Sequence, residues 1–189
     1  NPRLGVVGGL SVLGTTGVVR PMDEAALLAS MTMELSVMRS LGVQRLVITF
    51  GGTGEKALRR AFGLEGRCVV QAGNYPGFVL DEAHRMGFEC GLLGGHPGKL
   101  LKVAAGSFRT HNRDADGRLE ALCTQAAIAG APAETVRRLY ECRTTENAMG
   151  LLEEFGLKGL WTALASVAAR RATDRSFGEL PMEAAFVDN

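Results

Sequence analysis

The stretch Gly94–His111, GGHPGKLLKVAAGSFRTH, follows the apolar run Gly91-Leu92-Leu93 and opens with two glycines, a histidine and a proline. A strand that ends in a tight turn and feeds a helix has this composition. At such a helix start the first backbone N–H groups lack partners inside the helix, and the dipole favours anions. The glycines allow a ligand to come close to the backbone. Lys99 and Lys102 place two cations one helical turn apart, Arg109 and Arg113 extend them, and His96 and His111 bracket the segment. The plainer alternative is an ordinary strand–turn–helix unit with solvated lysines. It is not a nucleotide phosphate loop of the Gly-x-x-x-x-Gly-Lys-Ser/Thr kind: the first glycine of that motif would fall on Leu93, and Leu100 follows Lys99 where a hydroxyl should bind magnesium.

Working back towards the N-terminus, the same unit recurs. Leu4–Gly9 (LGVVGG) is an apolar run of the kind found in buried parallel strands, followed by a second glycine-rich stretch, Ser11–Gly17 (SVLGTTG). Met22–Leu41 reads as a helix with Leu28, Met31, Leu35 and Met38 on one face, Asp23 and Glu24 in its first turn, and Gly42 at its end. Val43–Gly52 is a strand running into Gly51-Gly52-Thr53-Gly54, with a helix through Leu58 and Phe62 behind it. Cys68–Gly73 is the next strand, and Asn74-Tyr75-Pro76-Gly77 turns into a helix that stops near Gly87. Four successive strand–glycine–helix units predict an α/β fold, a Rossmann-like, doubly wound and mainly parallel sheet over residues 1–113. Such sheets bind ligands beyond the carboxyl ends of their strands. Thr15, Thr16, Thr53, Asn74, His96 and Lys99 all fall at those ends, which points to a small-molecule cleft, although turns also favour Gly, Asn and Thr for local reasons. No Gly-x-Gly-x-x-Gly fingerprint marks the first turn, so an NAD site is not indicated.

From Asp114 the pattern is helical and predicts a region, 114–189, packed on the sheet. Leu119, Leu122, Ala126 and Ala129 share a face, Glu134–Tyr140 and a segment starting at Thr144-Thr145-Glu146 follow, and Leu157–Arg171 carries Leu160, Leu164, Val167 and Trp161. Arg170, Arg171 and Arg175 suit the negative end of that last helix better than a ligand. The tail, 182–187, is a candidate last strand.

The bulk numbers narrow the function. With 21 Lys+Arg against 20 Asp+Glu in 189 residues, the chain lacks the basic surplus of a general nucleic-acid binder. No apolar run is long enough to span a membrane, and no signal peptide is visible. Cys68, Cys90, Cys123 and Cys142 form no Cys-x-x-Cys pair, which predicts reduced thiols, a cytoplasmic protein and no metal site. The chain starts at Asn1-Pro2 and enters apolar sequence at once, so a preceding domain is expected.

Three blocks together resemble a known family. Gly8–Met22 (GGLSVLGTTGVVRPM), Gly73–Phe78 (GNYPGF) and Gly95–Gly106 (GHPGKLLKVAAG), followed by the pair Thr110-His111, are similar to the cobalt-precorrin-5B C1-methyltransferase family, CbiD. Pro76 departs from its usual pattern. The resemblance spans essentially the whole chain and matches the C-terminal part of family members, which carry a further domain ahead of it.

That resemblance implies S-adenosyl-L-methionine as methyl donor and an anionic cobalt-corrinoid as substrate, with cobalt present only as part of the substrate. The usual donor signatures, Glu/Asp-x-Gly-x-Gly and Gly-Pro-Gly, are both missing. The glycine turns Gly14-Thr15-Thr16-Gly17, Gly51-Gly52-Thr53 and Gly73-Asn74 are the expected donor-binding backbone. Gly95, Gly98, Lys99, Lys102, Arg109, Thr110 and Arg113 are the expected contacts of the corrinoid carboxylates. His96 and His111 are the candidate catalytic residues, as general bases if a proton must leave the macrocycle. The missing domain, and a second copy of the chain, are the expected protein partners. A non-catalytic module that holds a tetrapyrrole or nucleotide, or an interaction protein whose glycine turns are only structural, remain as alternatives.

Overall fold

A computed structural model describes residues 23–114 and 116–187. The first apolar run, Leu4–Gly9, and the Gly14–Gly17 turn lie outside the described residues. In chain order the elements are α1 (Glu24–Ser40), β1 (Arg45–Thr49), α2 (Gly52–Phe62), β2 (Val69–Gln71), α3 (Pro76–Arg85), β3 (Cys90–Gly95), α4 (Pro97–Ala104), α5 (Arg118–Ile128), α6 (Ala133–Tyr140), α7 (Thr145–Glu154), α8 (Leu160–Arg175) and β4 (Met182–Phe186).

The four strands form one sheet in the order β2-β1-β3-β4, and every pairing is parallel. β1 aligns Thr49 with Gln71 of β2 on one side and with Gly94 of β3 on the other. From β1 the chain steps outward to β2, then crosses back to β3, so its direction of travel reverses between β1 and β3. That reversal opens a crevice at the carboxyl ends of these two strands, where open α/β sheets take their ligands.

Strand side chains alternate between two apolar layers, as the period of two requires. Leu46, Ile48, Val70 and Leu93 face a large core shared with Met31, Leu35 and Met38 of α1, Val79, Leu80 and Ala83 of α3, and Leu164 and Ala168 of α8. Val47 and Val69 face the other way, onto Leu58 of α2, with Leu92 alongside. Helices therefore cover both faces of a parallel sheet.

Local signals explain the element ends. Asp23 is the N-cap of α1 rather than part of its first turn, its carboxylate accepting from Ala25 N at 3.0 Å. Thr144 caps α7 in the same way through Asn147 N. The last helix runs from Leu160 to Arg175 rather than from Leu157 to Arg171, its buried face of Leu160, Leu164 and Ala168 continuing through Ala172. Trp161 meets Phe186 of β4 edge-on, ring centres 5.1 Å apart. Arg175 is committed to structure: it forks onto Asp81, donates to Gly77 O and lies over the Phe108 ring. No helix among the described residues is long and apolar enough to cross a membrane.

Candidate functional site

Beyond the end of β3 the chain turns through His96 into α4. Pro97 occupies the first helical position, where its fixed φ helps and its missing N–H costs nothing. His96 is the N-cap, its Nδ1 accepting the Gly98 N–H at 3.3 Å. The acceptor role of Nδ1 assigns the proton of a neutral ring to Nε2.

The two lysines of α4 then tie down the segment that follows the helix. Lys99 Nζ donates to Asn74 Oδ1 and, at 3.0 Å, to the Thr110 carbonyl. Lys102 Nζ donates to the same carbonyl at 3.2 Å and to Asn112 Oδ1 at 2.7 Å. The Thr110 amide returns a bond to Asn74 O at 3.0 Å. The turn after β2 and the segment after α4 are thereby laced together across the lysines. Gly73 makes the turn possible, since its φ of 57° lies in the left-handed region. His111 completes the rim, its Nδ1 accepting from Arg113 N at 3.2 Å, so its Nε2 also carries the proton of the neutral ring.

These residues line an open concavity of about 470 Å³ formed by Asn74, His96, Gly98, Lys99, His111, Asn112 and Arg118. Arg118, at the start of α5, is clasped by Asp116 through bonds of 2.6 and 2.7 Å and reaches Thr145 Oγ1 at 3.3 Å. Burial pulls the Lys99 amine below the ordinary lysine range, and the positive charges of Lys102 and Arg118 add to that. Burial also lowers Lys102, which is 0% exposed, against the opposing pull of Asp116. Arg118 holds the Asp116 carboxyl below its ordinary value. Two cations, Lys99 and Arg118, and two imidazole Nε2 donors around the start of α4 make a receptor for carboxylates.

A second concavity, about 490 Å³, sits at the opposite end of the strands, lined by Arg45, Phe62, Leu64, Cys90, Pro181 and Met182 among others. It is apolar and lies at the amino ends, away from the crevice, so the cationic concavity is the candidate site.

The structure thus brings together Asn74, His96, Gly98, Lys99 and His111 of the expected residues. Lys102 and Thr110 are fully buried and serve the frame rather than the surface. Gly95 lies beneath Phe50, whose ring atom a Cβ at this position would meet at 2.6 Å. Gly51 and Gly52 stand at the start of α2, while Thr53 lines a shallow hollow on the outer side of α2 with Lys56, Ala57 and Arg60. Arg109 lines a different groove, over the Tyr75 ring and paired with Glu24 and Asp114. Arg113 contributes its backbone N–H to His111. Arg118 and Asn112 were missing from the expected set. The Asp116-Gly117-Arg118 sequence reads only as a helix start, and nothing in its spacing shows that α5 begins beside α4.

Residues 109–189 match the family model of the CbiD C-terminal domain, and residues 1–21 match the CbiD model. The chain belongs to the CbiD family. A relative in Photorhabdus laumondii, named cobalt-precorrin-5B C(1)-methyltransferase, is 43% identical over 92% of this chain and 46% of its own length. Relatives of the same name in Citrobacter koseri and Klebsiella pneumoniae are 42% and 41% identical over 87% and 92% of this chain. The chain spans about half the length of these curated relatives. No solved structure matches it significantly.

Proposed function

We propose that this chain is the ligand-binding part of an S-adenosyl-L-methionine-dependent methyltransferase that methylates C1 of cobalt-precorrin-5B, giving cobalt-precorrin-6A in anaerobic cobalamin biosynthesis. The carrying observation is the cationic concavity of Asn74, His96, Lys99, His111 and Arg118 beside the β1–β3 crevice. The names of its relatives supply the reaction. The sheet is Rossmann-like in this reading: a parallel α/β core with both ligands at its switch point.

A corrinoid intermediate is ringed with acetate and propionate carboxylates, and the concavity accommodates one edge of it. Lys99 and Arg118 supply charge, and the Nε2–H of His96 and of His111 donate to carboxylate oxygens. With Nδ1 of each ring engaged by a backbone N–H, both histidines act here as donors, not as bases. The donor lies over the glycine turns after β1 and β2. The bound donor supplies an electrophilic methyl group, and its sulfur keeps the electron pair when the methyl leaves for the ring carbon. For this chain the task is alignment, which alone lowers such a barrier greatly. The remaining length of the longer relatives is assigned to the second wall of the cleft, and the reaction to the cytoplasm, consistent with four free cysteines.

The test is calorimetric titration of a polycarboxylated corrinoid, cobyrinic acid, at rising salt, followed by mass analysis of cobalt-precorrin-5B incubated with S-adenosylmethionine. Salt-sensitive binding that Lys99→Met weakens, with gain of one methyl group, is the expected result. Binding without methyl gain identifies a non-catalytic tetrapyrrole module. Absence of corrinoid binding sinks the reading.

A further inference from the structure

Among the described residues, one buried side-chain nitrogen or oxygen has no hydrogen-bond partner: the hydroxyl of Thr49. Thr49 is 0% exposed and is the last residue of β1, beside the crevice. An orphaned buried hydroxyl is costly, and natural proteins keep few of them. Its direction is fixed by a neighbour. A Cβ built on Gly54 would sit 2.6 Å from Thr49 Oγ1 and 3.6 Å from the Gly95 Cα. The hydroxyl therefore points at the first turn of α2, and glycine at position 54 keeps a side chain from intervening.

That turn has no side-chain cap among the described residues. α1, α4 and α7 carry side-chain caps on Asp23, His96 and Thr144, whereas α2 starts at Gly51 without one. Its first intrahelical bond is Glu55 N–H to Gly51 O at 3.0 Å, so the amides ahead of Glu55 have no partner within the helix. The carboxylate of that turn, Glu55, is turned aside onto Gln71 Nε2 at 2.7 Å and Arg59 Nε at 3.0 Å.

We propose that Thr49 Oγ1 and the first-turn amides of α2 form a carboxylate subsite, and that it takes the amino-acid carboxylate of the methyl donor. This rests on the methyltransferase reading given above. A single hydroxyl with a few backbone amides suits one carboxylate better than a polyanionic ring. It abuts Gly95, where β3 hands the chain to the cationic concavity. Donor and macrocycle would then lie side by side across the switch point.

Titration of S-adenosylhomocysteine, of its decarboxylated analogue and of cobyrinic acid into the wild type, Thr49→Val and Thr49→Ser tests this. Thr49→Val should weaken S-adenosylhomocysteine about tenfold, the scale of a lost hydrogen bond to a charged group. It should leave the decarboxylated analogue and the corrinoid unchanged, and Thr49→Ser should restore binding. The unliganded Thr49→Val protein should melt no lower than the wild type, because valine removes an unpaired hydroxyl from the interior. Equal loss for both nucleosides, or no loss for either, overturns the subsite while leaving the donor reading intact. Loss for cobyrinic acid alone reassigns the subsite to the macrocycle and overturns the proposal. A wild type that binds no S-adenosylhomocysteine sinks both the subsite and the donor's place in this chain.

Discussion

Replacing Lys102 with methionine probes the frame of the site and separates two large opposing effects. The substitution removes an ammonium that donates to Thr110 O at 3.2 Å and to Asn112 Oδ1 at 2.7 Å. Each bond from a charged donor contributes roughly 1.5–3 kcal/mol. Against this stands the desolvation of a cation that is 0% exposed, itself several kcal/mol. The two nearly offset, so Lys102→Met should change stability at neutral pH by less than about 2 kcal/mol in either direction. The pH dependence has a definite sign. Burial depresses the folded-state pKa of Lys102, so between that value and the ordinary lysine value the unfolded chain binds more protons. Wild-type stability therefore gains as pH rises through this window, and the variant lacks that gain. Burial raises the thiol pKa values of Cys123 and Cys142, which gives an opposite slope, but both proteins share it. Urea denaturation of both, from about pH 7 to about pH 10, reads the difference directly. Wild type minus variant should climb with pH, and amide exchange at Thr110 should quicken in the variant. A flat or falling difference would refute the account of Lys102 as a buried, desolvated cation.

Four further outcomes follow from the same geometry. Lys99→Met should weaken corrinoid binding by about 1–3 kcal/mol and flatten its salt dependence, measured by titration at two ionic strengths. His96→Ala removes the cap of α4 and should cost about 1 kcal/mol in a urea melt, with weaker corrinoid binding besides. Gly94→Ala drives a methyl to 2.5 Å from Leu58 Cδ2 and should destabilise by about 1–3 kcal/mol, read from the urea midpoint. Arg109→Ala breaks only exposed ion pairs and a ring contact outside the concavity, so stability should fall by no more than about 1 kcal/mol while corrinoid affinity stays put.

The parallel α/β core was legible because glycine closes each short β-rich run and helix periodicity follows it. β1 and β2 lie within the segments so read and stop short of their closing glycines because the hydrogen-bonded ladder ends first, whereas β3 runs past Leu93 through Gly94 and Gly95, which pair with β4. Asp23 shows the grain of such reading: its acidity marks a helix start equally well as cap or first-turn residue, and only backbone geometry separates the two. At the site, Lys99 and Lys102 share a helix face by spacing, yet their environments differ. The difference comes from Thr110, whose amide bonds Asn74 O and folds the following segment over Lys102. That is a long-range contact with no local signature. Arg109 looked like part of the same charge run, but its guanidinium turns to Glu24, far along the chain. Thr49 had no signal at all: a threonine in a β-rich run is among the commonest of strand residues, and its missing partner is a property of packing.

The placing of β4 has a kinetic consequence. β3 forms an interior strand between β1 and β4, yet residues 96–181 separate its end from the start of β4. Apart from Asn74, the cationic concavity is built from the first part of that excursion, up to the start of α5, while Trp161 and Phe186 clasp the excursion's far end. Closing so long a crossover must wait until five helices have condensed, because ordering them first shortens the effective loop. Refolding should therefore show the Trp161 signal arriving late, after β1, β2 and β3 have paired. The chain's last strand is then the bolt rather than the foundation of the sheet, and loss of residues 182–187 should speed unfolding far more than it slows the early collapse.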